Sequence, residues 1–415
     1  MRCVARARGA PVNRAQVLRA ACCAALAGCA GDLELTTCDI REPSCQFEVF
    51  LAVQDVRGSL WDPWLEPPPM EVISEAQYRA QVIAARERAL EQEGVNYLNE
   101  GLKLLRMIDP DETPDEEADF QVASVAALYD SRTHRVTIID RDEPGNPVLA
   151  VQTLAHELVH AAQDRDVGFR RLFADVGSTD QLLALSTLLE GEAVMYGFLV
   201  DGKQLDIPKT LLDWGVVYGW LDDVRMRTFQ AASPYRLATT ELIYPLGGAH
   251  AVKAYLAGGP LAVRGSYDHP PLSAAELMAS LGTAPAGGRT PWGCALVEPP
   301  AGFELALADE LGALALYAFA TRSALAEPQA WDRAQPWVGD RFQVFRRPDD
   351  PDALAVAWLV RFADAQAAAA LHALIGSVAW PQPLQSRVVE DMVHVFASKP
   401  AVSEPYDAWT RCRSP

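Results

Sequence analysis

Residues 153–164 read "TLAHELVHAAQD", placing His156 and His160 four positions apart with Glu157 between them. On a helix, positions four apart lie about 40° apart around the axis and one turn along it, so both imidazoles can converge on one ion. Glu157 falls on the flank of that face, where a carboxylate can reach a metal-activated water. This is the HExxH spacing of zinc peptidases. The neighbours Leu154, Ala155, Leu158, Val159, Ala161 and Ala162 are apolar, which favours a packed helix over a chance match in a loop. Two half-buried histidines with a solvated glutamate are the bland reading of the same residues.

Zinc hydrolysis also needs a third ligand. The metzincin continuation, a glycine three residues after the second histidine and a histidine three further on, is absent, because those places hold Gln163 and Asp166. The next helical stretch offers Glu190 and Glu192 in "LLEGEA". Two residues apart on a helix means about 200° of rotation, so only one of them can face the ion. Glu190 shares a stripe with Leu183, Thr187 and Val194, and a carboxylate on such an inward face is costly unless it meets a cation. Glu192 is then expected in a supporting role around the ligands or on the surface. Gly191 is expected to let this helix and the HExxH helix approach closely.

Taken together, "HELVH" followed by "LEGEA" resembles the gluzincin superfamily of zinc metallopeptidases, which includes the thermolysin-like and aminopeptidase-N-like enzymes. In the latter the second helix carries NEGxA, whose first glutamate is the third zinc ligand, so the resemblance implies Zn2+ held by His156, His160 and Glu190 with Glu157 as general base. "IYPLGGAHAVKAYL" is similar to the Y-x-x-G stretch of these enzymes, which implies Tyr244, followed by Gly247, as the donor to the reaction's oxyanion. The chain departs from the pattern in three places. There are 29 residues between His160 and Glu190, Leu189 stands in place of the asparagine, and Val194 stands where thermolysin has an aspartate. More loosely, the whole chain resembles uncharacterised bacterial metallopeptidase-like lipoproteins with a C-terminal W-x-G-D-R strand, here Trp337, Gly339, Asp340 and Arg341.

Other titratable residues are weaker candidates. Asp164, one turn past His160, is placed either to orient a ligand histidine through its distal nitrogen or to pair with Arg165 or Arg170 at the helix end. His250, near Tyr244, is a candidate for the cleft, and as a fourth ligand it would make the zinc purely structural. His134, His372 and His394 read as structural or exposed.

The elements that must position these residues follow from patterning. Ser74 and Gln77 form a capping-box pair that opens a helix running towards Ile108. "DPDETPDEEAD" (109–119) reads as an acidic connector, and 122–130 with 134–140 as a β-hairpin whose edge would align a peptide. A helix over about Val148–Asp164 carries HExxH, and a second starts at Ser178 with Gln181 as its capping partner. Further helices are expected near 209–230 and 247–257, then a β-β-α-β run beyond residue 330. The expected fold is therefore α+β: a mainly helical zincin-like peptidase domain with a β-hairpin edge (71–330) and a small C-terminal α+β domain (331–415). Before these come a signal peptide (1–28) and a proline-rich tether (29–70).

Residues 1–28 carry five arginines and no acids, followed by "LAGC" at 26–29, which resembles the lipobox of bacterial lipoproteins. The resemblance implies export, lipidation at Cys29 and a membrane anchor, with Ala30 pointing to the outer membrane, facing the periplasm or the cell surface. Cys38, Cys45, Cys294 and Cys412 remain beyond the anchor, an even number in an oxidising compartment. Of the three pairings they allow, Cys38–Cys45 with Cys294–Cys412 is the simplest. The formal charge of −19 becomes −24 once the five arginines are removed (−19 − 5), a surface that repels phosphate backbones and excludes nucleic acid as a partner. The expected partner is a peptide or protein substrate. The alternative is a catalytically inactive gluzincin-scaffold lipoprotein that binds envelope components.

Overall fold

The computed structural model describes residues 38–58, 66–93, 95–141, 147–204, 207–281, 296–323, 325–377, 384–399 and 412–413. The lipobox-like stretch with Cys29, and Cys294, lie outside them. Cys38 and Cys45 form a disulfide, with 5.5 Å between their Cα atoms. Cys412 is described through its backbone alone, opposite Val297 in a two-stranded ladder.

The segment read as an irregular tether contains helix α1 (Pro43–Arg57), which buries Cys45, Val49, Val53 and Val56 along one face. Strand β1 (Met70–Ser74), unforeseen beside the prolines, leads directly into α2 (Glu75–Glu93). Ser74 Oγ accepts from the Gln77 N–H, and Gln77 Oε1 accepts from the Ser74 N–H, so the expected capping box opens α2. Helix α3 (Tyr97–Leu104) follows.

Two expectations fail in the next stretch. The second half of the acidic connector is helical, and the first three residues of the supposed first strand belong to the same helix, α4 (Pro114–Ser124). Thr113 and Glu116 cap each other's backbone N–H groups and Pro114 occupies the first turn, so the helix nucleates inside the acidic run. Ala118 and Val122, four apart, then pack on Tyr78, Val82 and Ile139. The hairpin is correspondingly shorter, with β2 (Ala127–Asp130) antiparallel to β3 (Arg135–Asp140). β3 also pairs in parallel with β1, giving the order β1-β3-β2 and leaving β2 at one edge.

The helical layer comprises α5 (Pro147–Val167), α6 (Phe169–Leu172), α7 (Thr179–Gln204), a 3-10 turn at Lys209–Leu211, α8 (Gly215–Gln230), α9 (Pro234–Thr240), α10 (Ile243–Gly265) and α11 (Ala274–Leu281). α10 kinks at Gly258–Gly259, where φ of 66° at Gly259 precedes Pro260. α7 is long and apolar enough to cross a membrane, but 83% of its most apolar window is buried by the protein around it. It is the central core helix.

After β4 (Leu296–Val297), β5 (Glu304–Asp309), α12 (Gly312–Ala320) and α13 (Glu327–Ala334) come β6 (Trp337–Arg347), β7 (Asp350–Phe362), α14 (Ala365–Gly376), β8 (Gln385–Val389), β9 (Met392–Lys399) and β10 (Cys412–Arg413). The expected β-β-α-β run is present, with two additions. "RVVEDMVHVFAS" splits into β8 and β9 around Glu390 at φ 56°, and β5 joins from upstream of residue 331, giving an antiparallel sheet ordered β5-β6-β7-β9-β8. Leu154 and Tyr196 of the helical layer share one buried cluster with Trp337, Phe342 and Trp358 of the sheet. The aspartate of the W-x-G-D-R strand is part of that junction. Asp340 accepts from the Trp358 indole at 2.6 Å and from the Leu311 and Gly312 N–H groups at 3.0 Å, so it ties the sheet to the start of α12.

His394, on β9, is 2% exposed and faces Arg387 across the β8–β9 ladder. Burial, aided by Arg387, pushes its imidazole from 6.5 down to about 4. The folded chain therefore refuses a proton that the unfolded chain accepts as pH falls from about 6.5 to about 4. The stability His394 contributes is complete above the upper value and lost through that window, roughly 3 kcal/mol in all. Urea titrations of wild type and His394→Gln between pH 7 and 4 should show this loss in the wild type and a flatter profile in the variant.

Candidate metal centre

The site is built where three helices meet. α5 presents His156, Glu157 and His160, with Leu154, Ala155, Leu158 and Val159 fully buried behind them. α7 presents Glu190 and α10 presents Tyr244. The crossing of α7 and α10 depends on two glycines. A Cβ on Gly191 would overlap the Gly247 backbone, and one on Gly247 would overlap the Thr187 carbonyl oxygen. The close approach at Gly191 is thus to the helix carrying Tyr244, not to the HExxH helix as expected. Gly247 of the Y-x-x-G stretch has a steric reason to be glycine.

His156 Nε2 lies 2.8 Å from Glu190 Oε2, His160 Nε2 lies 3.2 Å from the same oxygen, and the two imidazole nitrogens are 3.0 Å apart. Three atoms bound tetrahedrally to one zinc at about 2.0–2.1 Å would be roughly 3.3 Å apart. The observed triangle is therefore close to what one ion requires. Among the described residues, these three form the one His/Cys/Asp/Glu group close enough to hold a metal. Their side chains are 11–20% exposed, so the centre is lined by protein yet open to a small ligand.

Electrostatics favour a cation at this point. Burial pushes the Glu190 carboxyl up, but the charge of His160 and hydrogen bonds from both imidazoles outweigh it and hold it far below the ordinary carboxylate range. Burial likewise opposes charge on His160, and Glu190 outweighs it, raising the imidazole to about 9. Glu157 is 8% exposed, and burial is the main influence raising its carboxyl. Its Oε2 accepts the Tyr129 N–H of edge strand β2 at 2.7 Å, so the edge of the sheet and the carboxylate are fixed to one another. The Tyr244 ring centre is 5.8 Å from that of His156. Glu190, burial and Glu157 hold the Tyr244 phenol well above 10, so it is a proton donor at neutral pH.

The supporting residues differ in part from the sequence expectation. Asp164 does not orient a ligand histidine. It lies seven residues, two turns, after Glu157 and therefore faces β2, where it accepts from Tyr129 Oη at 2.9 Å and from the Phe169 N–H at 2.7 Å. The distal nitrogen of His160 instead meets Gln163 Oε1 at 2.8 Å. Glu192 has the supporting role rather than a surface one, being 1% exposed and accepting from Gln163 Nε2 and Tyr267 Oη. His250 is not part of the centre. Six residues beyond Tyr244, it is turned about 120° away around the helix and its Nδ1 lies 3.0 Å from Ser280 Oγ. His134 sits exposed beside Asp164, and His372 meets Ser386.

Gln163, Tyr129, Tyr267 and Arg57 were missed from sequence. Gln163 left a local signal, since it lies one turn past His160. The others come from segments 28 or more residues distant from their partners, where no period connects them. Comparisons with family models, curated proteins and solved structures return no match for this chain.

Because the α7–α10 crossing leaves no room for a side chain at position 247, Gly247→Ala must separate the helices or distort them. The expected cost is at least the upper end of the roughly 1–3 kcal/mol typical of overpacking. Thermal melts check it, and a variant melting with the wild type would show that the helices are not in contact there.

Proposed function

We propose that the chain is a zinc-dependent peptidase of the gluzincin kind, exported and anchored to a membrane through Cys29. The observation that carries this reading is the convergence of His156 Nε2, His160 Nε2 and Glu190 Oε2 within 3.2 Å of one another, beside a buried Glu157. Two imidazoles and one carboxylate are a donor set suited to zinc, and three protein ligands leave a fourth position for catalysis. The turned-away His250 removes the expected candidate for closing that position.

A bound zinc ion would supply Lewis acidity, bringing water ionisation near neutral pH and polarising a carbonyl. The chain's own residues supply the rest. Glu157, held by the Tyr129 N–H, takes the proton of the attacking water and passes it to the leaving amine. Tyr244, kept protonated by the carboxylates around it, donates to the carbonyl oxygen as negative charge builds there. Edge strand β2 offers backbone groups along which an extended substrate can lie, and its link to Glu157 sets the register between peptide and base.

Glu157→Gln is expected to retain one equivalent of zinc and to lose hydrolysis by about 10²–10⁴-fold. Tyr244→Phe should lower kcat by about 10²–10³-fold with KM nearly unchanged. Glu190→Ala should lose zinc. Metal analysis of the purified mature protein together with cleavage of a peptide library checks all three. Full zinc in Glu190→Ala would remove the ligand assignment. Stoichiometric wild-type zinc without cleavage of any peptide would leave a binding scaffold in place of an enzyme.

A further inference from the structure

A guanidinium from the N-terminal helix reaches the outer side of the metal centre. Arg57, the last residue of α1, has a side chain 4% exposed, and its Nη2 donates to Glu192 Oε1 at 2.9 Å while Nη1 lies 3.3 Å from Asp166 Oδ2. Glu192 Oε2 in turn accepts from Gln163 Nε2 at 3.0 Å and from Tyr267 Oη at 2.5 Å. Gln163 Nε2 also donates to the Leu189 carbonyl at 3.0 Å. The far end of the same amide, Oε1, is 2.8 Å from His160 Nδ1.

We infer that Arg57, Glu192 and Gln163 form a positioning relay that fixes the tautomer and ring orientation of His160 and so sets the affinity of the centre for its metal. The inference rests on the zinc reading above. The Leu189 carbonyl can only accept, and Glu192 Oε2 already takes the Tyr267 O–H, so both meet the Gln163 amide as acceptors. With Tyr267 Oη also 3.0 Å away, they surround the amide nitrogen, so the amide oxygen faces His160. An amide oxygen can only accept, so His160 Nδ1 must carry the proton, and in the neutral ring Nε2 then presents its lone pair towards His156 and Glu190. A flipped Gln163 would set its oxygen against the Glu192 carboxylate and the Leu189 carbonyl and lose both of those bonds.

The orientation of Gln163 depends on the Glu192 carboxylate being held in place at 1% exposure. A carboxylate buried there without partners would be costly. Arg57 is its counter-charge, and Tyr267 adds a second donor. α1 therefore does more than pack on the helical layer, because its terminal residue holds in place the acceptor that orients the amide. Supporting hydrogen bonds to a metal-ligating histidine are worth about 10–100-fold in metal affinity.

The test is zinc affinity, measured by competition with a chromophoric chelator on the full mature chain. Gln163→Leu and Arg57→Met should each weaken zinc binding by about 10–100-fold, and Arg57→Lys should recover part of the loss. Val53→Ala, one turn earlier on α1 and buried at 3% exposure, should lower the melting temperature while leaving zinc affinity at the wild-type value. Should Arg57→Met fail to fold, Gln163→Leu carries the test, because Glu192 there keeps both Arg57 and Tyr267. Wild-type affinity in Gln163→Leu would overturn the relay while leaving the zinc site standing. An equal loss of affinity in Val53→Ala would reduce the effect to general destabilisation and also overturn it. A wild-type protein that takes up no zinc would remove the site reading itself, and the relay with it.

Discussion

Three carboxylates, those of Glu157, Glu190 and Glu192, are carried into the helical layer, and the arrangement around them follows from the need to compensate each one. A buried anion without a partner costs several kcal/mol and tends to neutralise. Each of the three has a different solution. Glu190 meets two imidazoles, Glu157 meets a backbone N–H from an edge strand, and Glu192 meets a guanidinium, an amide and a phenol. The first solution leaves a converging set of lone pairs suited to a cation. The second leaves a carboxylate with one oxygen fixed, and the third leaves one with donors on both oxygens. The chemical roles proposed for the three follow from that difference in how completely each is satisfied.

This compensation requires elements far apart in sequence to arrive together, and the packing is arranged accordingly. The glycine crossing of α7 and α10 sets Tyr244 beside Glu190 with no side chain between the backbones. Tyr129 is held to α5 at two points two turns apart, its N–H on Glu157 and its hydroxyl on Asp164, so the edge of the three-stranded sheet is fixed along the helix rather than at one contact. The C-terminal sheet acts at greater distance. Its Trp337, Phe342 and Trp358 complete the same core that backs α5 and α7, and Asp340 locks that contact through three donors.

What the sequence made legible was whatever is carried by local periodicity. HExxH is confined to one turn of helix, and the choice of Glu190 over Glu192 needed the helical period and the cost of an inward-facing acid. Capping pairs announced α2 at Ser74 and α7 at Ser178 for the same reason, because both partners lie within four residues. α4 was hidden by composition. Its acidic surface resembles a solvated loop, although Thr113, Pro114 and Glu116 together mark a helix start. For Asp164 the distance from His160 left a ligand histidine and a helix-end arginine open, whereas its distance from Glu157 decides that it faces β2. Arg57 left no local trace, since the partner that gives it meaning is 135 positions away.

The placement of Arg57 gives the beginning of the described chain a role that its sequence alone does not suggest. Cys45 lies in the first turn of α1 and is 2% exposed, so the Cys38–Cys45 bridge pins the start of that helix against the core while Arg57 is buried at its other end. A helix held at both ends presents its terminal side chain in one place, and a guanidinium serving as counter-charge to a buried carboxylate must be so held. A disulfide persists in an oxidising compartment, the setting that the lipobox resemblance implies. The bridge steadies α1, and α1 supplies the charge that Glu192 meets beside the candidate metal centre.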